Sequence, residues 1–161
     1  MCAIVDGMSK TYSGFIAIVG PTNAGKSTLL NQIMGRKVSI VSHKVQTTRT
    51  NLRAIKMVGT RQLIFVDTPG IFRPGRRLDR AMVSSAWDGA KDADVIALVV
   101  DAKRGFDFET KAIVQKLKED KVEALLVLNK TDLVKKEKLL SLSAEINGVY
   151  TFKETFFISV H

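Results

Sequence analysis

Eight residues fix most of what this chain can fold into: Gly20-Pro21-Thr22-Asn23-Ala24-Gly25-Lys26-Ser27. They follow the apolar run Phe15–Val19 and precede Leu29, Leu30, Ile33 and Met34, which recur at helical spacing. Strand, glycine-rich loop and helix, with G-x-x-x-x-G-K-S spacing, is the signature of a phosphate-binding P-loop. Consecutive backbone N–H groups must curl around a phosphate there, which glycine permits sterically. Lys26 is placed to reach the β/γ-phosphates and Ser27 to offer a hydroxyl to Mg²⁺, while the helix N-terminus adds partial positive charge. An ordinary glycine turn is the competing reading, and it rarely falls between a buried strand and a helix. Gly20 through Ser27, with Thr28 next in line, are the expected nucleotide contacts.

A length of 161 residues with 45% hydrophobic content fits one domain with a sizeable core. The single cysteine, Cys2, excludes an intrachain disulfide framework and a cysteine-rich zinc site. No apolar run approaches the roughly 18 residues that a transmembrane helix needs. Residues 1–14 lack the pattern of a secretory signal, and a reduced, cytoplasmic setting is the expectation.

The net charge of +9 is concentrated. Between Arg36 and Arg80 stand eleven basic residues, opposed only by Asp67 and Asp79, so this segment carries the whole surplus and the remainder is balanced. Such asymmetry points to a polyanionic partner, above all RNA. Arg49, Arg53, Lys56, Arg61, Arg73, Arg76 and Arg77 are the candidate RNA contacts. The alternative is that these charges neutralise a bound nucleotide or solvate loops.

Continuous apolar runs at Phe15–Val19, Leu63–Val66, Val95–Val100, Ala124–Leu128 and Phe156–Val160 predict buried parallel strands. Helical spacing falls on Lys26–Met34, Asp79–Lys91, Phe108–Glu119 (with Ala112, Ile113, Lys116 and Leu117 inward) and Lys135–Ile146 (with Leu139, Leu142 and Ile146 inward). Alternation of strand and helix implies an α/β sheet covered on both faces. Asn51–Val58 and Arg61–Val66 are joined by only Gly59-Thr60, which predicts an antiparallel hairpin at the sheet edge. Arg36–Thr50 and Thr68–Leu78 read as functional loops.

Two further motifs narrow the ligand. Strand Leu63–Val66 ends in Asp67-Thr68-Pro69-Gly70, where a carboxylate can hold Mg²⁺ directly or through water and the Gly70 N–H can meet a γ-phosphate. Strand Ala124–Leu128 ends in Asn129-Lys130-Thr131-Asp132. The Asp132 carboxylate matches the ring N–H and exocyclic amine of guanine, a donor pair that adenine lacks. Matched polar groups of this kind discriminate by roughly 10⁴–10⁵, since the wrong ligand leaves them unpaired. Asn129 would support the purine edge, and the Lys130 stem would lie along the base plane. The bland alternative makes Asp132 a helix N-cap. In Ser159-Val160-His161 a backbone N–H could meet guanine O6, whereas His161 and His43 receive no ligand role.

Together these motifs resemble the bacterial Era family of GTPases. The likeness is carried by Asn31-Gln32-Ile33-Met34-Gly35-Arg36-Lys37-Val38-Ser39-Ile40-Val41-Ser42, Gln46-Thr47-Thr48-Arg49, Phe65-Val66-Asp67-Thr68-Pro69-Gly70-Ile71 and Leu78-Asp79-Arg80-Ala81-Met82-Val83. The resemblance implies a P-loop G domain with a mostly parallel six-stranded sheet, one antiparallel edge strand and helices on both faces. It implies GTP/GDP and Mg²⁺ as ligands, slow hydrolysis on the order of 10⁻³ s⁻¹ or less, and a role in maturing the small ribosomal subunit through its ribosomal RNA. Peripheral membrane association of intact members is also implied. Thr47 or Thr48, with Thr48 favoured, would supply a hydroxyl to Mg²⁺ beside Ser27 and Asp67.

Ile71 stands where many GTPases carry a water-orienting glutamine, so catalysis rests elsewhere. Asn23 matches the asparagine that related GTPases use near a K⁺ ion; alternatively it caps the loop. Lys26, Asn23, Thr48 and Gly70 are therefore the expected hydrolytic group. Era proteins continue into another helix and an RNA-binding KH domain, so residues 1–161 are expected to be a C-terminally shortened G domain. Val160 replaces the alanine usual after the last-motif serine. A nucleotide-gated RNA- or ribosome-binding module with little turnover of its own is the alternative function.

Overall fold

A computed structural model of the chain describes residues 2–6, 9–35, 52–67 and 93–160. The expected loops Arg36–Thr50 and Thr68–Leu78 and the expected helix Asp79–Lys91 lie outside the described residues.

The runs Phe15–Val19, Leu63–Val66, Val95–Val100 and Ala124–Leu128 fall in strands, because an uninterrupted apolar stretch is stable only when both of its faces are covered. The expected buried strand Phe156–Val160 is corrected: the strand is Thr155–Phe157, at the sheet edge with Phe156 and Phe157 exposed, and residues 158–160 lie beyond it. β2 (Ser9–Val19), β3 (Leu52–Val58), β4 (Arg61–Asp67), β5 (Val95–Asp101), β6 (Ala124–Asn129) and β7 (Thr155–Phe157) pair in the order β3-β4-β2-β5-β6-β7. β4, β2, β5, β6 and β7 run parallel. β3 returns antiparallel along β4, with Val58 opposite Arg61, as a two-residue connection requires. The expected mostly parallel sheet with an antiparallel edge strand is borne out.

The structure adds one strand that sequence reading missed. β1 (Cys2–Asp6) pairs antiparallel with the first half of β2, Cys2 opposite Ser13 and Asp6 opposite Ser9. β4 occupies one edge of β2 over Tyr12–Ile18, so β1 and β5 share the other edge end to end. This beginning of β2 is polar (Ser9-Lys10-Thr11), and apolar patterning therefore placed the strand's start at Phe15.

Alternation along the strands divides two cores. Ala17 and Val19 of β2, Ile96, Leu98 and Val100 of β5, and Leu126 and Leu128 of β6 face two helices, α2 (Phe108–Asp120) and α3 (Lys136–Val149). Ile18, Phe65, Val99 and Val127 face the opposite way, with Leu29, Leu30, Ile33 and Met34 of α1 (Lys26–Met34) packed against them. Helices thus cover both faces. Leu98, Leu117, Leu126, Leu128 and Ile146 are wholly or almost wholly inaccessible, and each contributes about 1.5–3 kcal/mol by leaving water.

In α3 the buried positions are Leu139, Leu142 and Ile146, as expected. In α2 they are Thr110, Ile113, Val114 and Leu117, while Ala112 faces solvent. The inward face is therefore rotated from the expected one. Thr110 enters the core because its hydroxyl donates to Asp107 Oδ1 at 2.7 Å, so that hydroxyl is not stranded. Asp107 also caps the helix, accepting from the Thr110 N–H at 2.8 Å.

Candidate nucleotide-binding site

All the parallel strands deliver their carboxyl ends to one rim of the sheet. The chain turns from β2 to α1 at Gly20, β4 ends at Asp67, β5 at Asp101 and β6 at Asn129. Ile18 lies opposite Asp67, and Asp101 lies opposite Asn129, which brings the three motifs to that rim. After β2 the chain goes to β4 on one side, then to β5 on the other, making a topological switch point where α/β sheets bind ligands.

The loop is shaped by close approach. An added Cβ at Gly20, whose φ is +150°, would lie 2.2 Å from the Val99 carbonyl oxygen. At Gly25, with φ +93°, it would lie 2.2 Å from Asn129 Nδ2. The sequence must therefore have no side chain at either position.

Six consecutive carbonyls, Gly20 through Gly25, all have donors. Lys26 Nζ donates to the Gly20 and Pro21 oxygens at 2.9 and 2.7 Å. Arg104 Nη1 donates to Thr22 O at 3.1 Å, Lys130 Nζ to Asn23 O at 2.8 Å, and Asn129 Nδ2 to Ala24 O at 2.9 Å. The Leu29 N–H donates to Gly25 O at 2.8 Å, as the first turn of α1. In a trans peptide the C=O and the following N–H point oppositely. Holding the carbonyls of Thr22 and Ala24 therefore turns the N–H groups of Asn23 and Gly25 the opposite way, toward the concave side, while the Ala24 N–H donates to Pro21 O at 3.3 Å and closes the turn. That donor set, with the Lys26 ammonium and the amino end of α1, fits a polyphosphate.

Asn129 is fully buried and works on two sides. Its Nδ2 holds the P-loop, while its Oδ1 accepts from the N–H groups of Lys130 at 2.8 Å and Val160 at 3.2 Å. The guanine motif, the last segment and the phosphate loop are joined at one amide. Lys130 has φ +60° and lays its ammonium between Asn23 O and Asp101 Oδ2, the latter at 2.6 Å. Asp132 is exposed and accepts from Ser159 Oγ. The short 3₁₀ turn Thr131–Leu133 starts from Lys130, and α3 starts from Lys135, both without a side-chain cap. Asp132 therefore caps neither helix and keeps its carboxylate at the rim.

Two site residues escaped sequence reading, Asp101 and Arg104. Asp101 is buried at the end of β5, where Oδ1 accepts from the Lys103 and Arg104 N–H groups at 2.9 and 3.3 Å. Burial pushes its carboxyl upward, but the Lys130 and backbone hydrogen bonds and the Lys130 charge outweigh this and hold it below the ordinary carboxylate value. A strand-ending aspartate was the available signal. Arg104 gives none, since its acceptor is a backbone oxygen 82 residues away.

Ser27 is exposed in the first turn of α1, and Asn23 is exposed with φ +62°. Asp67 and Arg53 are described only as backbone positions on β4 and β3. Lys56 donates to the Ile33 carbonyl near the C-terminus of α1, a favourable place for a cation, and Arg61 is exposed. Thr47, Thr48, Thr68, Pro69, Gly70, Ile71, His43, His161, Arg49, Arg73, Arg76 and Arg77 lie outside the described residues. No helix among the described residues is long and apolar enough to cross a membrane.

The family model for 50S ribosome-binding GTPases matches residues 15–130, from the start of the expected P-loop strand through Asn129-Lys130. The chain belongs to this GTPase family. Among curated relatives, the GTPase Era of Rhizobium meliloti (strain 1021) is 57% identical over 153 residues, covering 95% of this chain and 49% of that protein. The GTPase Era of Dinoroseobacter shibae is 51% identical over 159 residues, 97% of this chain and 52% of the relative. This GTPase-family chain thus spans about half the length of the curated relatives it matches.

A solved structure of Era in complex with MgGDPNP and nucleotides 1506–1542 of 16S ribosomal RNA superposes with a TM-score of 0.75 at 37% identity, covering 92% of this chain and 51% of that one. A variant of Aquifex aeolicus Era bound to GDP·AlF₄⁻ gives 0.74 at the same identity, covering 92% and 52%. A bacterial selenocysteine-specific elongation factor, 21% identical with a TM-score of 0.65, shares the fold alone.

Proposed function

We propose that this chain is a GTP-hydrolysing switch domain that serves small-subunit ribosomal RNA maturation. The observation carrying the reading is the joint at Asn129, which ties the guanine motif to a P-loop whose outward carbonyls are each held. Lys26 and the N–H groups of Asn23 and Gly25 bind and orient the phosphates, and Asp132 reads the guanine edge. Ser27, Asp67 and Thr48 would hold Mg²⁺, which when bound neutralises charge on the β- and γ-phosphate oxygens. We assign Asn23 to a K⁺ ion beside the phosphates, and Gly70 to sensing of the γ-phosphate. Residues 1–161 form one GTP-binding domain in this reading, and a cytoplasmic location follows from it.

The 16S nucleotides bound to the Era relative favour the small subunit over the 50S particle in the family's description. The concentrated charge of residues 36–80 supports RNA contact and also favours a second reading, a nucleotide-gated RNA-binding module with little turnover.

Titration with mant-GDP and mant-ADP tests the first reading, with phosphate release from GTP measured alongside. Guanine-selective binding, with linear release abolished in Lys26→Ala and faster in K⁺ than in Na⁺, is expected. Equal affinity for the two nucleotides would overturn the base assignment, and equal rates in the two salts the K⁺ assignment. Selective binding without Lys26-dependent release would favour the gated module.

A further inference from the structure

Arg104 stands in the turn between β5 and α2, built on Asp101, whose main-chain oxygen accepts from the Arg104 and Gly105 N–H groups at 3.1 and 3.0 Å. Both arms of its guanidinium are used. Nη2 lies 2.7 Å from Asp107 Oδ2 and 3.4 Å from Glu109 Oε2, at the amino end of α2, while Nη1 reaches Thr22 O at 3.1 Å. A rigid planar fork can hold two acids and a carbonyl together, which a lysine's single ammonium cannot reproduce. The same Asp101 side chain anchors Lys130, so one buried carboxylate organises the donors to both Thr22 O and Asn23 O.

We propose that Arg104 is a positioning residue of the phosphate loop. By holding the Thr22 carbonyl outward it fixes the Thr22–Asn23 peptide, so that the Asn23 N–H faces the phosphates. This rests on the nucleotide-binding reading above and adds a group outside every motif that carried it. The opposing view is that a side chain 40% exposed makes only a surface ion pair with Asp107 and Glu109, of little consequence.

Arg104→Ala and Arg104→Lys in the full chain separate the two. The Asn23 amide resonance in ¹H–¹⁵N spectra reports the orientation of that peptide without any nucleotide. We expect it to move in Arg104→Ala and to return part-way in Arg104→Lys, with the amides of β2 unmoved. With GTP, kcat should fall about tenfold in Arg104→Ala, the upper size of a single hydrogen bond, while GDP affinity changes by less than about threefold. An unmoved Asn23 resonance, or a uniform loss of kcat and GDP affinity that lysine does not relieve, would overturn the proposal. Failure of wild-type chain to prefer mant-GDP over mant-ADP would instead overturn the functional reading, and the Asn23 resonance would still decide the clamp.

Discussion

Gly20 and Gly25 are both closed to side chains, but by different neighbours, and their replacement should have different consequences. Gly20 faces the Val99 backbone, which cannot rotate away, so Gly20→Ala must displace β5 or the loop. A loss of about 3 kcal/mol in urea unfolding is expected. Gly25 faces the Asn129 amide, and Gly25→Ala should push that group from the Ala24 carbonyl. Guanine-nucleotide affinity should fall at least about tenfold, with a smaller stability loss than at Gly20. Comparable unfolding midpoints for the two variants would contradict this contrast.

Asp101 sets a pH dependence whose sign follows from its lowered folded-state pKa. The unfolded chain takes up the proton first as pH falls, so the stabilising contribution is complete above the ordinary carboxylate value near 3.8 and is lost as pH drops through the depressed one. Wild type should therefore lose stability more steeply than Asp101→Asn below about pH 4. Parallel acid-unfolding curves would exclude Asp101 as a contributor.

At the scale of elements, α2 joins the core to the site. Leu117→Ala empties a fully buried position and should cost about 2–5 kcal/mol. Asp107→Ala removes the N-cap, strands the buried Thr110 hydroxyl and deletes one acid partner of Arg104. It should cost about 2 kcal/mol in thermal or urea unfolding. A neutral Asp107→Ala would mean that the cap is not held in solution.

Legibility differed among the elements for physical reasons. The Val95–Val100 and Ala124–Leu128 runs were readable because a strand covered on both faces must be apolar throughout. The phase of α2 was not, since buried Thr110 is counted as polar until its hydroxyl is seen to bond Asp107. β1 and the start of β2 pair through backbone groups, which leave no apolar pattern. The P-loop and the Asn129-to-Asp132 motif were readable because their chemistry needs particular side chains at fixed spacing. The Arg104 and Lys130 ties end on backbone oxygens of Thr22 and Asn23, which any residue would offer.

For the whole molecule, charge is unevenly spread, with residues 36–80 carrying the full surplus. If that segment meets RNA, log affinity for single-stranded RNA should fall linearly with log salt, by about 0.7 per phosphate contact. Charge reversal at exposed Arg61 should flatten the slope. A salt-independent affinity, or none in dilute buffer, would remove RNA from the account. Lys56 is a weaker probe, because its ammonium already serves the C-terminal end of α1.

The joint made by Asn129 and Lys130 also bears on how a bound nucleotide would leave. Their side chains grip the backbone of Ala24 and Asn23, so the turn proposed to read the base cannot swing aside while the phosphate loop stays as it was. Departure then becomes one concerted opening rather than a peeling that starts at the purine. Residence time should then be governed by the rupture of those shared ties, and a lesion at either end of the ligand should shorten it through the same barrier.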